Sequence, residues 1–193
     1  MEKFYLIEAN IERKKDAIDY IEEHIKYNSS MNGTAGLDDD YLNYEVWLEK
    51  LELLKNKETC LEGYCPGREY FLIRENDNKL VGMINLRWDL TDLMMKYGGH
   101  IGYGIRPTER RKGYNKINLY LCLLKAQRLK LKKVLLTANV DNIGSNKTIL
   151  SLGGVLENTV NKNNELLNRY WIDVDESIKK YSKTYEKYIR KKE

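Results

Sequence analysis

No stretch of the 193 residues approaches the roughly 20 consecutive apolar positions that a helical membrane span needs. The N-terminal residues MEKFYLIEAN lack the long apolar region of a secretory signal. Cysteine is scarce: Cys60, Cys65 and Cys122 are three, an odd number, which fits a reducing compartment better than a disulfide framework. A cytoplasmic location is the expectation. Cys60 and Cys65 are too widely spaced for a C-x-x-C pair, and only His24 and His100 could join them. A structural zinc site usually needs four well-spaced ligands, so no metal is expected. The plainer reading is two thiols flanking a turn at Pro66-Gly67.

The 42% hydrophobic content argues against disorder, and the length suits a single domain with one substantial core. Net charge is only +4, yet it is unevenly placed. From His100 to Leu135 ten Lys or Arg stand against one acid, Glu109, a local sum of +9 that leaves −5 for the remainder. A polyanion would sit on this region. Nucleic acid is one such polyanion. The basic residues surround a glycine-containing turn and are not joined by an aromatic stacking platform, which favours a compact phosphate ligand.

Read in order, Phe4 to Ala9 is a short strand, and Ile11, Ala17, Ile18, Ile21 and Ile25 mark a helix to about Tyr27. A loop follows from Asn28 to Leu37. Asp38, Asp39 and Asp40 precede a second helix, Tyr41 to Lys55, where a side-chain cap and negative charge both stabilise the helix start. The functional alternative is an acidic lip that attracts a cationic amine. Asn56 to Arg68 is a connection. Strands at Glu69 to Arg74 and Leu80 to Leu90 flank a polar turn, and a loop from Thr91 to Gly98 leads to a fourth strand. Ile117 to Leu131 is helical, Lys133 to Val140 contains a strand read as parallel and central, and Ser145 to Leu152 is a short helix. Val155 to Val160 and Arg169 to Val174 complete a sheet. Asp175 to Glu193 is an amphipathic helix that either packs on its own domain or makes a homodimer contact.

The organising stretch is Gly99 to Lys116. Its first half alternates and carries bare glycines, as a strand does where another backbone or a ligand comes close. Its second half places Arg110, Arg111, Lys112, Gly113, Tyr114, Asn115 and Lys116 at a helix entrance. Unpaired N–H groups and a partial positive charge there make a phosphate-binding turn. A strand, Pro107 and then Arg110 to Asn115 resemble the acyl-CoA-binding motif of the GNAT N-acetyltransferases, usually written Q/R-x-x-G-x-G/A. Arg110 and Gly113 match it, whereas Asn115 replaces the final small residue. A second block, Asn142-Ile143-Gly144-Ser145, follows the fifth strand.

This resemblance implies an α/β fold: a GNAT-like single domain over residues 1–174, with residues 175–193 as a C-terminal helix. Its mixed, mostly antiparallel central sheet would have about seven strands, with a parallel splayed pair at strands four and five and helices on both faces. It implies acetyl-CoA as co-substrate and transfer to a primary amine of a small molecule or peptide. Tyr103, Gly104 and Ile105 would offer backbone to the pantetheine arm. Arg110 to Lys116 would wrap the pyrophosphate, and Asn142 and Ser145 would contact pantetheine or ordered water. Two positions where the family often carries a proton-transfer group hold Ile149 and Thr137. That leaves His100 and Tyr103 as catalytic candidates, His100 as a base by its intrinsic pKa, with backbone N–H near Ile105 able to polarise the thioester. A catalytically silent acyl-CoA-binding regulator and a nucleic-acid-binding module are the rival readings.

Overall fold

Alternation of apolar residues builds the N-terminal half. The structure, a computed structural model, describes residues 1–190. Within them β1 (Phe4–Glu8), β2 (Gly67–Arg74), β3 (Lys79–Arg87) and β4 (Ile101–Ile105) form one antiparallel sheet in the order β1-β2-β3-β4. Successive strand residues point to opposite faces, so each face acquires its own core. Phe71, Ile73 and Met83 pack against Ala17, Tyr20 and Ile21 of α1 (Lys14–Lys26) and Tyr44, Trp47 and Leu51 of α2 (Tyr44–Leu53). Tyr70, Leu72 and Ile84 face the other way, onto Leu119, Tyr120 and Leu123 of α3 (Tyr114–Arg128).

The C-terminal half is a second sheet. β5 (Lys133–Asn139), β6 (Val155–Lys162) and β7 (Glu165–Asp173) run in the order β5-β7-β6, with every pairing antiparallel, and α4 (Ile143–Leu150) links β5 to β6. The expected single central sheet is therefore corrected to one sheet of four strands and one of three. Among the described residues β4 and β5 form no ladder. They meet through one isolated antiparallel bridge, Gly99 to Leu136, and the His100 N–H donates to Leu135 O at 2.7 Å. Gly99 has φ +74°, and a Cβ there would strike the Leu135 backbone, so this junction depends on glycine.

Three boundaries differ from the sequence reading for local reasons. α3 begins three residues earlier, at Tyr114, because Gly113 turns the chain in the left-handed region (φ +83°) and serves as N-cap. The three aspartates do not cap α2: a 3-10 turn, Tyr41–Asn43, intervenes. Asp38 instead accepts from the Thr34 hydroxyl, and Asp40 accepts from Asn43 Nδ2 at 2.6 Å. The tail helix α5 (Val174–Tyr185) starts on Asp173, whose carboxylate accepts the Glu176 N–H, and ends in a 3-10 turn. Tyr185 stacks on Tyr120 with ring centroids 5.1 Å apart, and Arg190 N–H donates to Phe4 O at 3.0 Å. The last three positions of the expected helix lie outside the described residues.

Candidate active site

β4, the turn after it and the start of α4 enclose an open cleft of about 620 Å³. Tyr103, Gly104, Ile105, Arg110, Arg111, Gly113, Tyr114, Asn115, Lys116, Asn142 and Ser145 all line it. Lys112 and His100, the other two candidates, do not.

The turn is a main-chain cradle. Arg111 (φ +65°) and Gly113 (φ +83°) are both left-handed, which aims successive N–H groups to one side. Among the described residues the N–H groups of Arg111, Lys112, Gly113, Tyr114 and Asn115 have no acceptor, and nothing lies within 4 Å of where a Gly113 Cβ would stand. This space and these donors, at the positive end of a 15-residue helix, suit a phosphate.

Several side chains expected at the phosphate are committed elsewhere. Arg110 Nε donates to Ile105 O at 3.0 Å, and its terminal nitrogen donates to Ser29 Oγ at 2.6 Å. Lys112 pairs with Glu109 at 2.8 Å. Tyr114 donates its hydroxyl to Glu2 at 2.7 Å while its ring packs on Phe4. Asn115 Oδ1 is buried without a partner among the described residues. Arg111 and Lys116 alone of this basic run have side chains with neither a hydrogen-bond nor an ion-pair partner among the described residues, and Arg110 meets only neutral oxygens, so Arg111 and Lys116 supply the charge that is free to move onto a ligand. Glu109, the one acid in the run, is the hub that fixes the turn, accepting from Arg74 (2.8 Å), Lys79 (3.0 Å) and Lys112 (2.8 Å). Burial pushes its carboxyl up, but these three cations outweigh burial and bring it down to about 2.

The edge of β4 that faces away from β3 is the second component. Arg87 N–H donates to His100 O and Arg106 N–H donates to Val81 O. By antiparallel alternation the even-numbered residues of β4 therefore bond to β3, and Tyr103 and Ile105 turn their main-chain groups outward. Gly104 contributes space instead, since a Cβ there would lie 2.8 Å from both Asn32 O and Tyr20 Oη. The α1–α2 loop thus rides directly on β4. Gly33 seals it there: its own Cβ would be 2.5 Å from Tyr103 Cα.

α4 closes the far wall. Asn142 Oδ1 accepts the Ser145 N–H at 3.0 Å as N-cap, and Tyr103 reaches across to donate its hydroxyl to Ser145 O at 3.3 Å. Burial raises the Tyr103 phenol above its ordinary value, so it stays protonated. Sequence reasoning passed over Asn146. Its Nδ2 donates to Asn139 O and Asn142 O, both at 2.8 Å, and its Oδ1 accepts from Tyr170 Oη at 2.6 Å. It ties the cleft wall to β5 and β7. Its place directly after the Asn142 to Ser145 block was the available signal.

The structure places His100 differently from a general base. Its Nδ1 accepts the Leu135 N–H at 2.9 Å, and burial, reinforced by the Arg87 charge, lowers its pKa to about 4. Such an imidazole is neutral and weakly basic at pH 7. Its bonds hold β5 against β4. Thr137 donates to Tyr97 O at 3.0 Å, and Ile149 is fully buried in the core.

A main-chain turn that suits a phosphate thus lies beside the outward edge of β4 in one cleft. The chain belongs to the acetyltransferase (GNAT) family, whose model matches residues 34–153. Solved structures show the same fold at low identity. The microcin C7 self-immunity acetyltransferase MccE, in complex with acetyl-CoA and AMP, is 19% identical with TM-score 0.66, covering 89% of this chain and 92% of its own. The spermidine/spermine N-acetyltransferase SpeG of Vibrio cholerae is 14% identical with TM-score 0.64, over 92% and 98%. The Salmonella typhimurium enzyme that modifies the N-terminal serine of ribosomal protein L7/L12 is 14% identical with TM-score 0.62, over 89% and 95%. No curated protein matches the sequence.

Proposed function

We propose that the protein transfers the acetyl group of acetyl-CoA to a primary amine of a small molecule or a peptide, both substrates being bound together. The observation that carries this reading is the row of unpaired N–H groups from Arg111 to Asn115 opening into the cleft beside the free edge of β4. Those N–H groups, with Arg111 and Lys116, hold the pyrophosphate, and the outward main chain of Tyr103 and Ile105 aligns the pantetheine arm. Bound acetyl-CoA supplies an acyl thioester. A neutral amine attacks its carbonyl carbon, the C–N bond forms, the C–S bond breaks, the nitrogen loses its surplus proton to water and the thiolate takes one. Tyr103, a protonated phenol that leaves Ser145 O to do so, gives that proton, and the Ile105 N–H polarises the carbonyl. His100 acts as a positioning residue. Much of the rate comes from holding amine and thioester together.

Residues 1–174 form the transferase domain on this reading. The described cysteines are all free, in keeping with the cytoplasm. Among the described residues no helix is long and apolar enough to cross a membrane, and no group of side chains could hold a metal ion. That relatives by fold modify a spermidine-type amine and a protein N-terminus supports an amine acceptor without choosing between the two. A catalytically silent acyl-CoA-binding regulator is the second reading, favoured by Thr137 and Ile149 being turned away from the chemistry. A thiol-release assay with acetyl-CoA and a broad panel of amines separates the two. Amine-dependent thiol release establishes the transferase; tight acetyl-CoA binding with no release from any amine supports the regulator.

A further inference from the structure

Outside the cleft, and sharing no lining residue with it, a smaller cavity of about 150 Å³ lies between the end of β1, the start of β2 and the second half of α2. Ala9, Leu48 and Leu51 make its apolar walls, and Glu69 lines it too. The alternation that sends Phe71 and Ile73 into the core beneath α1 and α2 sends the Glu69 side chain to that same face. The residue is 2% exposed, and neither carboxyl oxygen has a partner among the described residues. A buried carboxyl without partners is costly, and acetyl transfer makes no use of this one.

The surrounding charges do not compensate it. Lys55 and Arg68, at the rim, are drawn to Glu8 at 3.4 and 2.7 Å, and Lys55 pairs with Glu52 at 2.6 Å. From the packed elements the Asn85 side chain, Arg87 and the Ile84 N–H favour the ionised form, although neither Asn85 nor Ile84 completes an ordinary hydrogen bond to it, and Asp38 opposes it. The Tyr20 and Tyr44 phenols on that side are themselves held protonated, chiefly by burial. Burial holds the Glu69 carboxyl well above its ordinary range, so the acid is neutral while the cavity is empty.

We propose that this cavity binds the ammonium end of a small aliphatic amine, with Glu69 as its counter-ion. An ammonium brings three donors, the Glu69 carboxyl, whose oxygens are sealed from water while the cavity is empty, turns toward it on binding, and the apolar walls accommodate methylenes. About five waters' worth of space suits a chain of three or four carbons. A metal ion fits poorly, since no cluster of ligating side chains is present among the described residues. On binding, Glu69 releases its proton to solvent and the carboxylate pairs with the ammonium.

Propylamine tests this at pH 7 on the full chain, with tetramethylammonium, which has no N–H, as the control at equal ionic strength. Propylamine should raise the thermal midpoint in a dose-dependent way, and calorimetry in two buffers of different ionisation heat should show proton release. Glu69→Gln should weaken binding about tenfold or more, the worth of one charge-assisted hydrogen bond. Ala9→Leu, which fills the cavity and keeps the acid, should lose the effect as well and serves if Glu69→Gln fails to fold. No shift, an equal shift with tetramethylammonium, or shifts unchanged in Ala9→Leu overturn the proposal. Acetyl-CoA titrated into the same variants reports on the cleft alone, so an amine site that fails beside intact acetyl-CoA binding leaves the transferase reading standing.

Discussion

Replacing Glu109 with Gln should remove a pH-dependent part of the protein's stability. The carboxyl side chain is 5% exposed, and its strongest partner, Arg74, is 12% exposed, so water screens the pair little. A fall from 4.5 to about 2 corresponds to about 3 kcal/mol at about 1.4 kcal/mol per pH unit. Lys79 and Lys112 are 36% and 47% exposed and add less, and Arg74 keeps Asp77 at 2.6 Å in the variant. The expected loss at pH 7 is therefore about 2–3 kcal/mol. Because the folded-state pKa is depressed, the contribution is complete above about 4.5, shrinks as pH falls and is gone by about 2. Urea unfolding of both proteins at pH 7, 5, 4 and 3 reads it directly: the curves should converge toward the acid end. A difference under about 0.5 kcal/mol at pH 7, within the range of an ordinary surface change, or a gap that stays constant down to pH 3, refutes the account of the turn.

Tyr103→Phe should lower kcat about 100-fold while leaving the acetyl-CoA Kd in place; a raised Kd with kcat unchanged would make the residue a binding group only. His100→Asn should leave the pH–rate profile between pH 5 and 8 without a lost inflection, because the imidazole titrates near 4. An inflection that disappears with it would restore the base. Gly33→Ala drives a methyl into the β4 backbone at a left-handed φ, so it should displace the α1–α2 loop and raise KM for the amine more than for acetyl-CoA. The same fold-change in both KM values, or no change in either, would separate the loop from the acceptor site.

The cleft was legible because its chemistry is mostly local. A glycine at a helix entrance, basic neighbours and a preceding alternating strand lie within Gly99 to Lys116, and eleven of the candidates named from sequence line one cavity. What the sequence could not show is where long side chains end. Arg110 and Lys112 read as phosphate ligands by position, yet Ser29 and Glu109 claim them across the fold. Glu109 looked like the exception in a basic run, and only the arrival of Arg74 and Lys79 from β2 and β3 makes it the hub. Asp38 to Asp40 looked like helix caps because the 3-10 turn before α2 leaves no trace in the pattern. The division of the sheet between β4 and β5 is equally non-local, since it turns on His100 and Gly99 meeting Leu135 and Leu136. Glu69 sits inside an otherwise ordinary strand, and its isolation emerges only when α2 covers it.

Gly113→Glu bears most directly on the cradle. Nothing lies within 4 Å of the position its Cβ would take, so the added side chain has room, and Gly113→Ala controls for the about 1–2 kcal/mol cost of a left-handed residue. Calorimetric titration of acetyl-CoA should show binding to the wild type, weaker or equal binding to Gly113→Ala, and none to Gly113→Glu, whose carboxylate stands where the phosphate belongs. Unchanged affinity in Gly113→Glu would mean that the N–H groups of Arg111 to Asn115 do not hold the cofactor.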